Sequence, residues 1–542
     1  MTSRARVALA ALLCAYAAWG SRLWREADDA WERRDSDYAS LRTLLAFDRV
    51  PILDIERSLD AALPEETPVA LAPSLEKNGA LVQRLTEGLY PRRIDRTAAD
   101  VLALGPNGEV VSPRPKGKPL PVRDAYSFAL GLPGLLVAAG AVFGFGLLLT
   151  SLVPALMRPE RPALAWPVAW LAGCAAVGAL VHVATWTQIG VPWWAWRFAG
   201  WAALTIVALR RRLPAASRPS PEALVPAALV ALLLVQMAVL PVTGWDGRSI
   251  WLFHAKQIFF HGKLALADLR LGDSEWSHPV YPALVPAVMA LFAGASRVFD
   301  ERDAALAVAL IWSGALAALW VLARGAMGRW TGALVTLTAF FALAGLTTDL
   351  YMDGIVAVLL AVTILAFADD ALVPVGILAA AAVSLVKVEG AAAAVVLAMT
   401  VRRPKPILFV PALLPLLHAV WLRMNGVTEF QARIDPSAIP SKLPVVAAGI
   451  ASVLARGAQG QQHETQLLLR IGLVGLAAGA ALAAMRIGSS LRVRVALAGA
   501  ALVAMAIVLG AAMPQDAPWV VTWTLDRLLL HPALAFAMLP FV

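Results

Sequence analysis

Long apolar runs constrain this chain more than any other feature. Several of them reach about 18 residues or more, which is the length that crosses a bilayer and exceeds what a soluble core requires. Hydrophobic residues fill 59% of the 542 positions, charged residues fill only 15%, and the mean hydropathy is +0.70. We therefore expect a polytopic α-helical membrane protein surrounded by a lipid bilayer.

The apolar runs predict about thirteen transmembrane helices, at one span per run. Residues 1–20 form the first, as a signal peptide or as an uncleaved signal-anchor helix, because Arg4 and Arg6 precede a short apolar segment. A last apolar stretch, 528–542, is either a fourteenth span or a re-entrant helix. The remaining spans are predicted near 126–155, 164–188, 193–210, 222–242, 304–323, 331–346, 353–368, 371–387, 389–401, 406–422, 467–485 and 494–512.

Arg and Lys concentrate in short loops between these runs, which is typical of cytoplasmic loops. Counting spans from an inside N-terminus puts all the basic loops on one side, and it puts 21–123, 244–302, 347–353 and 426–465 on the other. We therefore expect a multi-pass membrane protein whose active face is turned away from the cytoplasm. The net charge of +9 then reflects topology and does not indicate nucleic-acid binding. The basic loops contain Arg158, Arg161, Arg210, Arg211, Arg212, Arg218, Arg324, Arg329, Arg402, Arg403, Lys405, Arg486, Arg492 and Arg494.

Residues 21–125 differ from the rest in being charged and poor in long apolar runs. Strands near 68–72 and 99–104, with a helix over 74–89 between them, predict a small extracytoplasmic α/β unit. A further helix is predicted over 28–47, and the Pro-rich stretch 113–121 is typical of a linker. The segment Tyr90-Pro-Arg-Arg93 is either a turn with a solvated basic edge or a ligand contact. The polytopic membrane domain then occupies 126–542.

The outer insertion 244–302 opens with Asp246, just past a predicted span. A carboxylate there is a functional-site candidate, and it also suits a helix N-cap, so both interpretations stay open. The same outer side carries a set of candidate binding residues, each of which also has a plain structural explanation. These candidates are Lys256, His278, Tyr281, Asp349, Lys387, Glu389 and Arg527, with Trp245, Trp251 and His254 in supporting positions.

Several function classes lack support in the sequence. The nucleotide-binding, zinc-protease and common serine-hydrolase motifs are absent, so a transferase here needs a donor delivered within the membrane. The only cysteines, Cys14 and Cys174, lie in apolar runs and predict neither a disulfide framework nor a metal site. Asp246, His278, Asp349 and Glu389 leave a divalent metal open as an alternative, but their spacing is not diagnostic of one. We therefore favour a metal-independent reaction without a cofactor.

Three patches carry a resemblance to a known family. They are Trp245-Asp246-Gly247 with Ala255-Lys256, Ser277-His278-Pro279 with Tyr281-Pro282, and Thr524-Leu525-Asp526-Arg527-Leu528-Leu529; Lys387-Val388-Glu389-Gly390 adds a fourth. The chain resembles the GT-C superfamily of polytopic membrane glycosyltransferases, and over about 244–532 it is more closely similar to bacterial membrane proteins that carry these patches. That superfamily includes protein O-mannosyltransferases, the lipid A aminoarabinose transferase and RgtA-type bacterial sugar transferases.

The resemblance implies a protein of the bacterial inner (cytoplasmic) membrane with a periplasmic active face. It also implies transfer of a sugar, with inversion, from a polyprenyl-phosphate donor to an envelope glycan, lipid or protein acceptor. Asp246 is then the general base, and Lys256, His278, Lys387 and Arg527 meet the charge of the donor phosphate. Two other functions remain open. One is a transporter or flippase of a lipid-linked or small anionic substrate, with Lys387 and Glu389 as an intramembrane relay. The other is a non-catalytic membrane scaffold that uses 21–123 as a binding module.

Overall fold

The computed structural model describes a helical bundle with one small sheet. Most of the predicted helix 28–47 and the whole linker 113–121 lie outside the described residues. The described residues are 2–33, 55, 59, 63, 67–77, 79–95, 97–104, 110–111, 128–153, 156, 162–210, 213–214, 223–270, 277–293, 299–401, 404–427, 435–455, 463–485, 490–513 and 515–542.

The helices and strands follow the apolar runs closely. A π-helical segment spans Gly247–Leu252, and short 3-10 turns span Asp370–Leu372, Pro406–Phe409 and Pro436–Ala438. In chain order the elements are α1 Ser3–Gly20, α2 Leu23–Glu32, β1 Ala70–Leu71, α3 Pro73–Glu76, α4 Gly79–Leu89, β2 Val101–Leu104, β3 Val110–Val111, α5 Phe128–Leu152, α6 Pro162–Thr187, α7 Trp193–Leu209, α8 Leu224–Val239, α9 Phe253–His261, α10 Leu266–Leu269, α11 Leu284–Ala293, α12 Glu301–Met327, α13 Arg329–Thr348, α14 Asp353–Phe367, α15 Val373–Ser384, α16 Val388–Met399, α17 Val410–Met424, α18 Ile439–Ala455, α19 His463–Ala484, α20 Ser490–Ala512, α21 Ala517–Trp523 and α22 Leu525–Met538.

Eight stretches of the described chain are helices long and apolar enough to cross a membrane. The prediction of an α-helical membrane protein is therefore confirmed. Other apolar helices, such as α14 and α16, are shorter, and α14 is buried along its whole length. The eight stretches are Leu132–Leu152, Ala163–Thr187, Glu301–Met327, Arg329–Thr348, Pro406–Met424, Pro436–Leu454, Gln466–Ala483 and Ser490–Ala512.

One of these stretches lies where the sequence analysis expects an outer loop and no span, over 426–465. The structure has an apolar helix there, α18, which overlaps the candidate span Pro436–Leu454. Lys442 and two prolines, Pro440 and Pro444, interrupt its sequence, so the apolar run is too short to stand out. Its N-terminal end contacts the end of α20, because the Asp435 amide donates to the carbonyl of Ala512 at 3.0 Å.

Small residues allow the first membrane helices to pack closely. α5 packs against both α6 and α7. A Cβ on Gly144 would collide with the carbonyl of Gly200, and one on Gly146 would collide with that of Ala169. Close backbone approach through glycine is a common way for helices to associate in lipid, where water supplies no driving force.

The N-terminal unit contains the predicted β-α-β order with one addition. β1 pairs with β2 in parallel, and a two-residue strand, β3, pairs with β2 in antiparallel. The predicted helix 74–89 is split into α3 and α4 at Lys77, before Gly79. A core of apolar side chains that includes Leu85 and Leu102 holds the helices on the sheet.

The N-terminal unit is docked on the outer insertion. The Tyr90 hydroxyl donates to Oδ2 of Asp268 at 2.8 Å, and Arg93 pairs with the same carboxylate at 2.7 Å. Nearby, the Lys256 ammonium donates to the carbonyl of Glu87 at 3.0 Å. The segment that starts at Tyr90 is thus a contact between the two predicted outer regions, which lie on the same side of the bundle.

The C-terminal helix α22 is a central element of the bundle. It packs against α14, α19 and α20, and nearly all of its described side chains are buried. Close contacts from Gly472 and Gly475 of α19 to Ala533 and Phe536 bring the helices together. This packing fixes the N-terminal end of α22, which carries Arg527, against the start of α14.

Candidate functional site

Asp246 lies in the first turn of a helix that begins at Trp245. Its backbone is itself helical (φ −57°, ψ −38°), and its side chain makes no capping hydrogen bond. The N-cap interpretation is therefore wrong. The carboxylate instead accepts a hydrogen bond from Nη2 of Arg527, with Oδ2 at 2.6 Å.

Arg527 joins Asp246 to a second carboxylate, Asp353, the first residue of α14. Its Nη2 lies 2.7 Å from Oδ2 of Asp353 and its Nε lies 3.1 Å from the same oxygen. The other oxygen of Asp353 accepts a hydrogen bond from Lys387 at 3.0 Å. Asp246, Arg527, Asp353 and Lys387 thus form one continuous chain of alternating charge, which we call the ion-pair chain.

The ion-pair chain runs from a partly exposed end to a buried end. The side chains of Asp246 and Arg527 are 18% and 28% exposed, whereas those of Asp353 and Lys387 are 3% and 5% exposed. Two positive and two negative charges balance, which is what makes burial of the inner pair tolerable. The outer pair remains accessible to a ligand that approaches from the insertion.

Aromatic rings surround the ion-pair chain. Arg527 lies over the ring of Tyr351 at 5.0 Å, and Lys387 lies over that of Tyr281 at 5.5 Å. Cation–π contacts of this kind help to hold cations that have lost their water. Burial, together with the nearby charge of Asp246, raises the pKa of Tyr351 and keeps its phenol neutral.

Tyr281 connects the outer insertion to Lys387 and Glu389. Trp251 stacks on its ring at 5.5 Å and His278 stacks at 5.0 Å. Its hydroxyl donates to Oε1 of Glu389 at 3.4 Å. Lys387 and Glu389 are both buried in protein, but Lys387 forms its ion pair with Asp353.

Histidines fix the backbone of the segment 277–283. His254 shares a hydrogen bond with the Ser277 hydroxyl at 3.2 Å, and His418 contacts the Pro279 carbonyl at 3.2 Å. The Ala283 amide donates to His182 at 3.1 Å. Burial lowers the pKa of His254 to about 3, with the nearby imidazoles adding to the effect, so this ring is neutral. The neutral rings act as structural supports for Tyr281.

Two predicted binding residues have other partners. Asp349 accepts hydrogen bonds from Arg22 at 3.0 Å and from Thr243 at 3.4 Å. Lys256 lies against the N-terminal unit and 3.7 Å from Glu301. Asp349 therefore links the residue before α2 to Thr243, just before the outer insertion, and Lys256 links the insertion to the N-terminal unit. Trp245, beside Asp246, is 44% exposed.

The structure brings Asp246, Lys387 and Arg527 together, with Tyr281, Glu389, Trp251 and His278 around the inner end. Asp353 joins them and is not among the site residues that the sequence predicts. A carboxylate at the first position of a wholly apolar helix is the signal that could have found it. Its partners, however, come from α22 and from the residue before α16, which only the packing brings together.

Within the described ranges, no group of three or more His, Cys, Asp and Glu side chains is arranged to hold a metal ion. The chemistry that the described residues offer is a carboxylate, two cations and aromatic faces. This combination suits proton acceptance beside a developing negative charge.

Comparison with known proteins finds no matching family model, curated protein or solved structure.

Proposed function

We propose that this chain is a membrane glycosyltransferase of the GT-C type, which moves a sugar from a polyprenyl-phosphate donor to an envelope acceptor. The observation that carries the proposal is the contact of Asp246 with Arg527 at the accessible end of the ion-pair chain. A carboxylate and a guanidinium held side by side match the two charges that such a transfer handles. The carboxylate accepts the proton of the acceptor hydroxyl, and the guanidinium binds the phosphate that leaves.

In the proposed reaction the acceptor hydroxyl oxygen forms a bond to the anomeric carbon, with inversion. Its proton passes to Asp246, which contributes about 10²–10⁴-fold to the rate when held within hydrogen-bond reach. The bond from the anomeric carbon to the phosphate oxygen breaks, and the lipid phosphate leaves with the electron pair. Arg527 and Lys387 stabilise the charge that develops on it.

The ion pair of Asp246 with Arg527 suggests how donor binding prepares the base. Arg offers a planar fork that binds phosphate through two hydrogen bonds. A donor phosphate would compete with Asp246 for Nη2 of Arg527. Donor binding would therefore free the carboxylate to accept a hydrogen bond from the acceptor hydroxyl.

The roles of the surrounding residues follow from their exposure. Trp245 is the exposed ring beside Asp246 and is suited to stack on a sugar, whereas Trp251 and Tyr281 are buried and support the site. His278 holds Tyr281 in place by stacking. Tyr281 and Glu389 form the inner wall.

We further propose that the chain is a bacterial inner-membrane protein with a periplasmic site. Assigning one span to each apolar run gives about thirteen spans. α18 is then a helix on the outer surface and does not reverse the topology. Asp435, just before the 3-10 turn that leads into α18, contacts the end of α20, and Val453 in the last turn of α18 contacts Gln466 at the start of α19. In the proposed topology, both of these neighbouring ends are outer ends.

Reconstitution into liposomes with a radiolabelled polyprenyl-phosphate sugar tests the proposal. Incorporation of label into a membrane-derived acceptor fraction supports it, and no incorporation with any of a panel of donor sugars contradicts it. The matched control is Arg527→Gln, which removes the cation and should abolish incorporation without preventing membrane insertion.

A second candidate is a carrier of a lipid-linked or small anionic substrate. Buried polar atoms beyond the ion-pair chain favour it. Neither ring nitrogen of His531 has a hydrogen-bond partner among the described residues. Oε2 of Glu389 also lacks one among the same residues. Unpaired buried polar groups are costly, so they are expected where water or a substrate enters. Movement of labelled substrate across liposomes without covalent transfer would identify the carrier.

A further inference from the structure

A cavity of about 180 Å³ lies beside the site, between α2, the end of α8 and the end of α13. Because a water needs at least roughly 10–15 Å³ of such volume, the cavity has room for on the order of ten waters, or about one sugar ring. Apolar residues form one wall, and charged side chains of α2 form another. Its lining includes Arg22, Asp29, Arg33, Gln236, Met237 and Asp349.

The charges in the lining do not favour a simple anion. Two arginines, Arg22 and Arg33, face three carboxylates, Glu26, Asp29 and Asp349, and the formal sum is negative. Arg22 is held by Glu26 at 2.9 Å and by Asp349 at 3.0 Å. A charged ligand would have to displace one of these pairs, whereas a hydroxyl can bond to the lone pairs that the carboxylates retain.

Gln236 supplies an independent indication of a ligand. It is 1% exposed, lines the cavity, and donates through Nε2 to the carbonyl of Leu23 at 2.7 Å. Its Oε1 has no hydrogen-bond partner among the described residues. A buried acceptor without a donor costs free energy, and a ligand hydroxyl would satisfy it.

We propose that this cavity binds a hydroxyl-rich, uncharged ligand about the size of one sugar ring. Hydroxyls donate to Gln236 Oε1 and to the carboxylates, and they accept from Arg33. The apolar face of the ring lies on the wall formed by Met237, Leu240 and Pro241. The site needs no group-transfer chemistry, so it does not depend on the transferase proposal.

Thermal unfolding of the full chain in detergent, with methyl glycosides of several hexoses and pentoses as probes, tests this proposal. A ligand that binds only the folded state stabilises it, so the Tm should rise by about 1 °C or more at about ten times the Kd. Glycine and inorganic phosphate serve as zwitterionic and anionic comparisons and should leave the Tm unchanged.

Variants locate the site. Asp29→Asn should weaken the glycoside effect, and Asp28→Asn, on the exposed neighbour that does not line the cavity, should not. Gln236→Leu should abolish it. Asp246→Asn should show the same rise in Tm with methyl glycosides as the wild type. The test of this cavity is therefore independent of whether the transferase proposal fails.

The alternatives each overturn the proposal. No shift with any methyl glycoside excludes a sugar site. A shift with glycine or phosphate alone identifies another ligand chemistry. A glycoside shift that survives in both Asp29→Asn and Gln236→Leu places the binding elsewhere.

Discussion

The Nη2 atom of Arg527 lies 2.6 Å from Oδ2 of Asp246, although 281 positions separate the two residues in the chain. The contact connects the first helical turn of the outer insertion with the first turn of the buried helix α22. Because Arg527 also binds Asp353, a change at any of the three residues alters the electrostatic balance of the others. The testable consequences start from this connection.

Substitution of Asp246 tests the proposed base. Asp246→Asn keeps the size of the side chain and can still accept a hydrogen bond from Arg527, but it cannot take a proton. Transfer should fall by about 10²-fold or more at matched membrane abundance. The measurement is product yield from labelled donor, or the native glycan profile.

The control for Asp246 is Asp300→Asn in the same insertion. Asp300 caps α12 by accepting from the Arg302 amide at 2.8 Å. Asn caps about as well as Asp, so this variant should keep full activity. Full activity in Asp246→Asn as well would remove the catalytic assignment and favour the carrier.

A double-mutant cycle tests the buried end of the ion-pair chain. Asp353→Leu leaves Lys387 buried without its partner and should destabilise the protein by about 3–5 kcal/mol. Asp353→Leu with Lys387→Met removes both charges and should recover much of that loss. The free energy of unfolding in detergent is the measurement.

The control for this cycle is Asp369→Asn at the other end of α14. Its carboxylate accepts from the Ala371 amide at 3.0 Å, a bond that Asn retains. The variant should be close to wild type. A double variant less stable than Asp353→Leu alone would show that the pair with Lys387 is not the source of the effect.

Cysteine labelling tests the topology. In a background with Cys14→Ser and Cys174→Ser, Asp28→Cys and Ser437→Cys should react with an impermeant maleimide on intact spheroplasts. Trp330→Cys should react only after lysis, because it lies beside Arg329 at the start of α13, on the basic and predicted cytoplasmic side. Protection of Ser437→Cys in intact cells would show that the region before α18 is inside.

Acid sensitivity tests the packing around His254. The pKa of its ring is lowered from 6.5 to about 3, so the unfolded state binds a proton that the folded state does not. The contribution of His254 to the free energy of unfolding is therefore fully present above about pH 6.5. It decreases as the pH falls, by about 2 kcal/mol at pH 5. His254→Gln should flatten the dependence of Tm on pH between 7 and 5. An unchanged slope would mean that other groups control it.

The sequence by itself determined the membrane class and the positions of most helices. A long run of apolar side chains with few charges has its lowest free energy inside the lipid bilayer. The length of the run therefore indicates the length of the helix that crosses the bilayer. The predicted order of strand, helix and strand in the N-terminal unit also follows from local periodicity. α18 is the exception, because Lys442 and prolines shorten its apolar run below the usual signal.

Only the tertiary structure decided how the polar residues are paired. Lys387 forms its ion pair with Asp353 and not with its near neighbour Glu389, and Lys256 lies against the N-terminal unit away from the ion-pair chain. Each of these partners comes from another part of the chain. A charge buried in a bundle must find its counter-charge wherever helix packing places one. Hydropathy is a local property of the sequence, whereas these pairs depend on the order and rotation of the packed helices.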